Sequence, residues 1–293
     1  MKRILGALLL VGAAASSGFT SAQEEIDARR KADPDCRVEI ENMAGSVRVV
    51  GWARDEVHVT GQIGHGAEGL DISGTPDHIQ IEVDVHGPGF HVDSDLEIHV
   101  PAGADVEVEA FNADITVSKV TGSVEANTVN GDIRVDGSRG EVDVETVNGD
   151  VEVSGTATKA LAESVNGAVR IRGVNGDVEA LTVNGELVVT GGKLHRGSLE
   201  TVAGSIRFEG GLASGANVDI ESVSGEVELL LAPDVSADIQ VSSFSGEIEN
   251  DFGPEAESVS RYTSEKELRF ETGDGDARIS IETLSGNVYL RRR

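Results

Sequence analysis

The sequence predicts an all-β protein: a parallel β-solenoid (β-helix) of two-strand coils about 18 residues long, preceded by an N-terminal β cap region. Three observations carry this. Asn-Gly returns at Asn130-Gly131, Asn148-Gly149, Asn166-Gly167 and Asn184-Gly185, each step 18 residues. The flanking residues repeat in the same register. Aromatics are only 3% of the 293 residues against 36 glycines, which suits a thin core of Val, Ile, Leu and Ala rather than a globular interior filled by rings.

The chain opens with Met1-Lys2-Arg3, an apolar run from Ile4 to Ala15, and Thr20-Ser21-Ala22. A basic start, about a dozen apolar residues and a small-x-small site predict a secretory signal peptide over 1–22, too short to span a bilayer. A short linker over 23–36 follows. The mature chain is therefore expected to be extracytoplasmic: in the periplasm, at the cell surface or secreted. Cys36 is the lone cysteine and lies behind Asp27-Ala28-Arg29-Arg30-Lys31, so neither lipidation nor an internal disulfide is expected. It reads as a small, half-buried residue opening the first strand.

Residues 37–110 alternate as strands without the 18-residue period and are expected to start the sheet system and close its end, since an open end exposes backbone donors and acceptors. Residues 111–293 carry the repeat. Before each Asn stand Val129, Val147, Val165 and Val183, preceded by Thr128, Thr146, Ser164 and Thr182. After each Gly come Ile133, Val151, Val169 and Leu187, then Val135, Val153, Ile171 and Val189. Downstream the corner becomes Ala203-Gly204, Ser224-Gly225, Ser245-Gly246 and Ser285-Gly286, at spacings of 19, 21, 21 and 40 residues. The last gap reads as an inserted loop over 250–276. The closing Val288–Arg293 reads as a C-terminal cap whose arginines discourage edge pairing.

Asn-Gly between alternating runs is also the strongest hairpin signal and would give an antiparallel meander. A hairpin gives no reason for residue i to resemble residue i+18, whereas parallel coils place those residues one strand spacing apart. In that arrangement the Val rows, with Ile133, Val151, Val169 and Leu187, are expected to form the core. The Asn-Gly pairs are expected to form a hydrogen-bonded corner ladder. The outward column Arg134, Glu152, Arg170 alternates in sign, and Asp132, Asp150, Ala168, Glu186 is interrupted by an alanine, both favouring vertical stacking.

The formal charge is −28. Removing the leader takes away two basic residues and no acid. Such a chain repels phosphate backbones and anionic lipid, which excludes nucleic acid as a partner and leaves cations, basic proteins or neutral glycans. Catalytic patterns are weak. No Gly-x-Ser-x-Gly elbow occurs; carboxylates are too common for a pair to be informative; Phe111, Phe208 and Phe244 fall at repeat positions and read as core filling. His86 and His91, with Asp84 and Asp93, match no zinc spacing and read as a solvated loop. Gly273-Asp274-Gly275-Asp276 lacks the calcium β-roll nonapeptide and reads as a turn. No cofactor is expected.

Val-Asn-Gly-Asp-Val-Glu-Val at 147–153, Glu-Ser-Val-Ser-Gly-Glu-Val-Glu at 221–228 and Glu-Thr-Leu-Ser-Gly-Asn-Val-Tyr-Leu at 282–290 resemble the signature of a bacterial β-strand-repeat family of unknown function labelled "putative adhesin". Val38–Val49, followed by Gly51-Trp52, resembles its first strands. The likeness runs from about Cys36 onward. It implies an elongated β-solenoid in the cell envelope and supplies no catalytic motif. The leading functional expectation is a non-enzymatic, adhesin-like binding or scaffold protein for an unknown envelope or surface component, protein or glycan. The alternatives are a carbohydrate-active lyase or hydrolase on a β-helix and a polymerising structural scaffold. The regularity of the coils directs the search for a site off the repeat, to 250–276 or to the segment around His86–His91.

Overall fold

The computed structural model describes residues 24–64, 67–85, 93–260 and 262–293; the leader segment and the His86–His91 pair lie outside them. The described secondary structure is all β. The N-terminal part comprises β1 (Glu24–Lys31), β2 (Arg37–Trp52), β3 (Glu56–Ile63), β4 (Ala67–Thr75), β5 (His78–Val85), β6 (Ser94–Pro101) and β7 (Asp105–Ser118). The strict repeat supplies β8 (Val124–Asn130), β9 (Ile133–Ser138), β10 (Glu141–Asn148), β11 (Val151–Gly155), β12 (Lys159–Asn166), β13 (Val169–Arg172) and β14 (Asn175–Asn184). The C-terminal part holds β15 (Leu187–Ala203), β16 (Ile206–Ser224), β17 (Val227–Leu231), β18 (Ala237–Ser245), β19 (Ile248–Asn250), β20 (Glu257–Ser258), β21 (Lys266–Thr272), β22 (Ala277–Ser285) and β23 (Val288–Arg292).

Residue i lies beside residue i+18 in parallel register: Val144 pairs with Ala126 on one side and Ala162 on the other, and Val151 with Ile133 and Val169. Two parallel rows result. The first runs through β8, β10, β12, β14 and the C-terminal half of β15, the second through β9, β11, β13 and the N-terminal half of β15. Period-two alternation sends Val142, Val144, Val151 and Val153 inward and Glu141, Asp143, Glu145 and Glu152 toward solvent. The inward residues of both rows belong to one apolar core.

Both ends depart from chain order. β2 has β5 and β6 on one side and β7 on the other. At the far end β22 lies between β16 and β18, and β23 between β17 and β19. The sheet is mixed, because β1–β3, β3–β6, β4–β5, β18–β21 and β20–β21 pair antiparallel.

These pairings correct three expectations. The stretch expected as a linker contains β1, paired with β3 from Glu24 to Lys31. The 250–276 segment is not simply a loop: its Lys266–Thr272 part covers the edge of β18. The C-terminal strand is not an end cap, since Val288, Tyr289 and Leu290 are paired on both sides and Arg291 and Arg292 continue the pairing with β17. The 40-residue gap misled because the chain passes to the end of the stack and returns to fill the place beside β16.

The assignment of the first Val row also changes. Val129, Val147 and Val183 are half-buried and Val165 is 38% exposed, while Thr128, Thr146, Ser164 and Thr182 beside them are buried. Alternation decides this: with Val142 and Val144 inward, Thr146 is inward and Val147 outward. Ile133, Val151, Val169 and Leu187 are buried at 1% exposure or less. Of the three repeat phenylalanines only Phe208 is core; Phe111 and Phe244 are 48% and 55% exposed.

Candidate interaction face

The corner explains why an apolar residue ends up outside. The inward Thr or Ser hydroxyl donates to a corner carbonyl of the preceding coil: Thr128 to Ala113 O at 3.2 Å, Thr146 to Gly131 O at 3.1 Å, Ser164 to Gly149 O and Thr182 to Gly167 O, both at 2.9 Å. A satisfied hydroxyl is tolerated in a dry core. The next residue then faces out, and the chain turns at Asn. Each Asn amide donates to the Asn below: Asn130 to Asn112 at 2.7 Å, Asn148 to Asn130 at 2.9 Å, Asn166 to Asn148 and Asn184 to Asn166 at 3.0 Å. The following position has no room for a side chain, since a Cβ on Gly149, Gly167 or Gly185 would come within 2.0 Å of the carbonyl of Gly131, Gly149 or Gly167. The Asn-Gly pairs are therefore a vertical stack rather than hairpin turns.

The outward residue before each corner forms a column down the first row. Bracketing pairings place Met43, Phe111, Val129, Val147, Val165, Val183, Val202, Val223, Leu284 and Phe244 above one another in that spatial order. At one strand spacing per rung the column is on the order of 40 Å long. Met43, Val202, Val223 and Leu284 are 44–54% exposed. Scattered surface valines need no explanation, but a continuous apolar strip does.

Two residues earlier runs a parallel column of Glu41, Glu109, Asn127, Glu145, Glu163, Leu181, Glu200, Glu221, Glu282 and Ser242. Among the described residues, none of its glutamates has an ion-pair partner. Partial burial, then the neighbouring Glu82 and Glu109, pushes the Glu41 carboxyl above its ordinary value; burial, then Glu145 and Glu179, does the same to Glu163. A shallow groove between the columns is lined by Val183, Val202, Val223, Leu284, Phe244, Glu200, Glu221 and Glu282. Beneath it the corner hydroxyls of Thr201, Ser222 and Thr283 are buried and lack the carbonyl partner that the strict coils provide.

The second row has a different outer face. Arg134 donates through Nε and Nη2 to Glu152 at 3.0 and 2.9 Å, and Arg172 reaches the same carboxylate. The column Arg134, Glu152, Arg170 stacks in register as expected, but the Arg170 guanidinium turns to Asp150 at 3.1 Å and Glu186 at 3.5 Å. Arg207–Glu228 and Arg291–Glu249 continue the pattern. The acidic column at the corner is structural, because Asp114, Asp132 and Asp150 accept the backbone N–H of Asp132, Asp150 and Ala168, all at 2.8–2.9 Å.

The remaining candidates are structural. Asp274 and Asp276 sit in a turn whose backbone N–H groups donate to Ser236 Oγ at 2.9 and 3.3 Å. Cys36 is 1% exposed and burial pushes its thiol up to about 11, which makes it a poor nucleophile. Trp52 stacks on His58, centroids 6.0 Å apart, and lies tilted against His99 at 4.9 Å, with the Arg54 guanidinium over its ring. Sequence reasoning placed the site off the repeat and missed the apolar column. The parity of the strand, counted from Val144, was the signal that would have found it.

Solved structures to which this chain is similar include a "putative adhesin" of Bacteroides fragilis, 11% identical, covering 93% of this chain and all of its own with a TM-score of 0.46. A "putative adhesin" of Parabacteroides distasonis is 10% identical, covering 92% and 98% with a TM-score of 0.39. A "putative cell adhesion protein" of Clostridium sporogenes is 9% identical, covering 92% and 100% with a TM-score of 0.25. Likenesses this distant say nothing about what this chain binds. No curated protein matches it. The profile of the Toastrack family, DUF4097, matches residues 36–291, so the chain belongs to that family.

Proposed function

We propose that this chain is an exported, non-enzymatic β-solenoid of the cell envelope that binds another envelope or surface component through the outer face of its first row. The observation that carries the reading is the apolar column from Met43 to Phe244, largely exposed, beside a mainly glutamate column without ion pairs among the described residues. Core-forming side chains left outside in an unbroken strip mark an interaction surface more often than chance exposure. The leader-like pattern of residues 1–22 supports export. The face carries an apolar column beside a mainly acidic one instead of converging unlike groups on a point, which suits binding along a length rather than catalysis. The antiparallel strands β1 and β20–β21 at the ends weigh against end-to-end polymerisation.

The test is to express the full chain in a bacterial envelope, extract it gently and follow its size beside a Val165→Asp, Val202→Asp double variant. Both residues are exposed, so the fold tolerates the change. The wild type is expected in a larger complex and the variant as a free chain. Identical profiles for the two proteins overturn the reading.

A further inference from the structure

The geometry points to the class of partner: a basic amphipathic helical segment of another polypeptide, lying lengthwise with its apolar stripe on the Val202–Val223–Leu284 rungs and its Lys or Arg side chains over Glu200, Glu221 and Glu282. This rests on the binding reading above.

Charge complementarity selects the sign. On the second row the acids are matched by arginines of the same chain, Arg134 and Arg172 on Glu152 and Arg207 on Glu228. The glutamates beside the apolar column have no described cation within ion-pair distance. Glu200, Glu221 and Glu282 stand on neighbouring rungs, so a cation from outside would offset their like-charge stacking, a gain no described internal group supplies. A second copy docked face to face would set glutamate against glutamate, and anionic lipid or nucleic acid would be repelled along the whole column. A neutral glycan would cover the rungs but leave the carboxylates unmatched.

Spacing selects the form. Rungs recur at about 4.8 Å. An extended peptide presents same-face side chains about 6.8 Å apart and falls out of step after two rungs. A helix repeats its face every 5.4 Å, so over the rungs from Val183 to Phe244 it drifts by less than one rung. Here the groove is lined by both columns. The floor there also carries the unpartnered Thr201, Ser222 and Thr283 hydroxyls, where the lengthened coils have lost a corner bond that holds the stricter ones.

The experiment uses the chain from residue 23 onward and three labelled synthetic 18-residue peptides read by fluorescence anisotropy. The first places Leu at i, i+3, i+4 and i+7 among lysines; the second scrambles the same composition to remove the stripe; the third replaces Lys with Glu. The first is expected to bind at least tenfold tighter than the others and to weaken with salt. The pairs Val202→Ser with Val223→Ser, and Glu200→Gln with Glu221→Gln, are expected to lose at least tenfold, while Glu152→Gln on the opposite face binds as wild type. Equal binding of the scrambled peptide, or equal loss in Glu152→Gln, overturns the inference by reducing it to bulk charge. If the peptides fail while the envelope complex persists and still depends on Val165 and Val202, the partner chemistry is wrong and the binding reading stands. If both fail, neither survives.

Discussion

The two outer faces of this molecule are built on one core and one 18-residue period, yet they treat charge in opposite ways. Behind Ile133, Val151 and Val169 the outward side chains pair internally, with Glu152 held between Arg134 and Arg172. Behind Val142, Val144 and Thr146 they do not: Glu145 and Glu163 stack on each other beside Val147 and Val165. The ion-paired face is complete in itself. The other leaves apolar area exposed and its glutamates without a described ion-pair partner, and it is this difference on which the proposed interaction face rests.

The largest effect should separate inside from outside within a single coil. Val151→Asp puts a carboxylate into a position with no exposed area and is expected to cost more than about 3 kcal/mol. Val165→Asp, on the outward apolar column that forms the ladder face, should cost about 0.5 kcal/mol or less. Denaturant melts giving equal losses would invalidate the assignment of the Val165 row to solvent.

Gly167→Ala tests the corner that joins the faces. Its Cβ would sit 1.9 Å from the Gly149 carbonyl, and a loss of about 2 kcal/mol or more is expected. A neutral result would mean that the coils do not stack this closely.

Smaller and opposite in sign are two glutamates in adjoining coils. Glu152→Gln removes the charge and one of the two acceptor oxygens that Arg134 and Arg172 share and should destabilise by about 1 kcal/mol or less. Glu163→Gln relieves repulsion and should stabilise by a few tenths. Thermal shifts of the same sign would dissolve the contrast between the faces.

The pH dependence separates partly buried, unpaired acids from ion-paired ones, and the latter include Asp177, paired with Arg196 on the first row. Burial raises Asp143, Glu163 and Glu41, so the stability they contribute is full below the ordinary carboxylate value and is lost as pH rises through their folded values. The hydrogen bonds from Arg172 and Arg134 lower Glu152, and Arg196 lowers Asp177. Their contribution is present above the ordinary value and is lost as pH falls through theirs. Melting temperature should therefore rise as pH drops from neutral toward about 4.5 and fall below it. A monotonic fall from pH 7 downward would show that the ladder face carries no repulsion.

Much of the fold was legible because it is written as a period. Four Asn-Gly pairs at one spacing fix which residues stack, and the structure pairs Asn148 with Asn130 and Asn166 accordingly. The ends were not legible, since β22 reaches its place between β16 and β18 by a reversal of spatial order that no periodicity records. The Val147 row was misread because hydrophobicity argued for the core while alternation argued for the surface. Alternation prevailed because the corner requires an inward hydroxyl at Thr146 to satisfy the Gly131 carbonyl. That same displacement created the candidate face.

The most direct test of this account is site-specific photo-crosslinking in the intact envelope, with the photoreactive residue at Val165 on the ladder or at Arg134 on the ion-paired face. A discrete crosslinked species from position 165 and none from position 134 is the predicted result. Equal products from both positions, or a product from 134 alone, would contradict it.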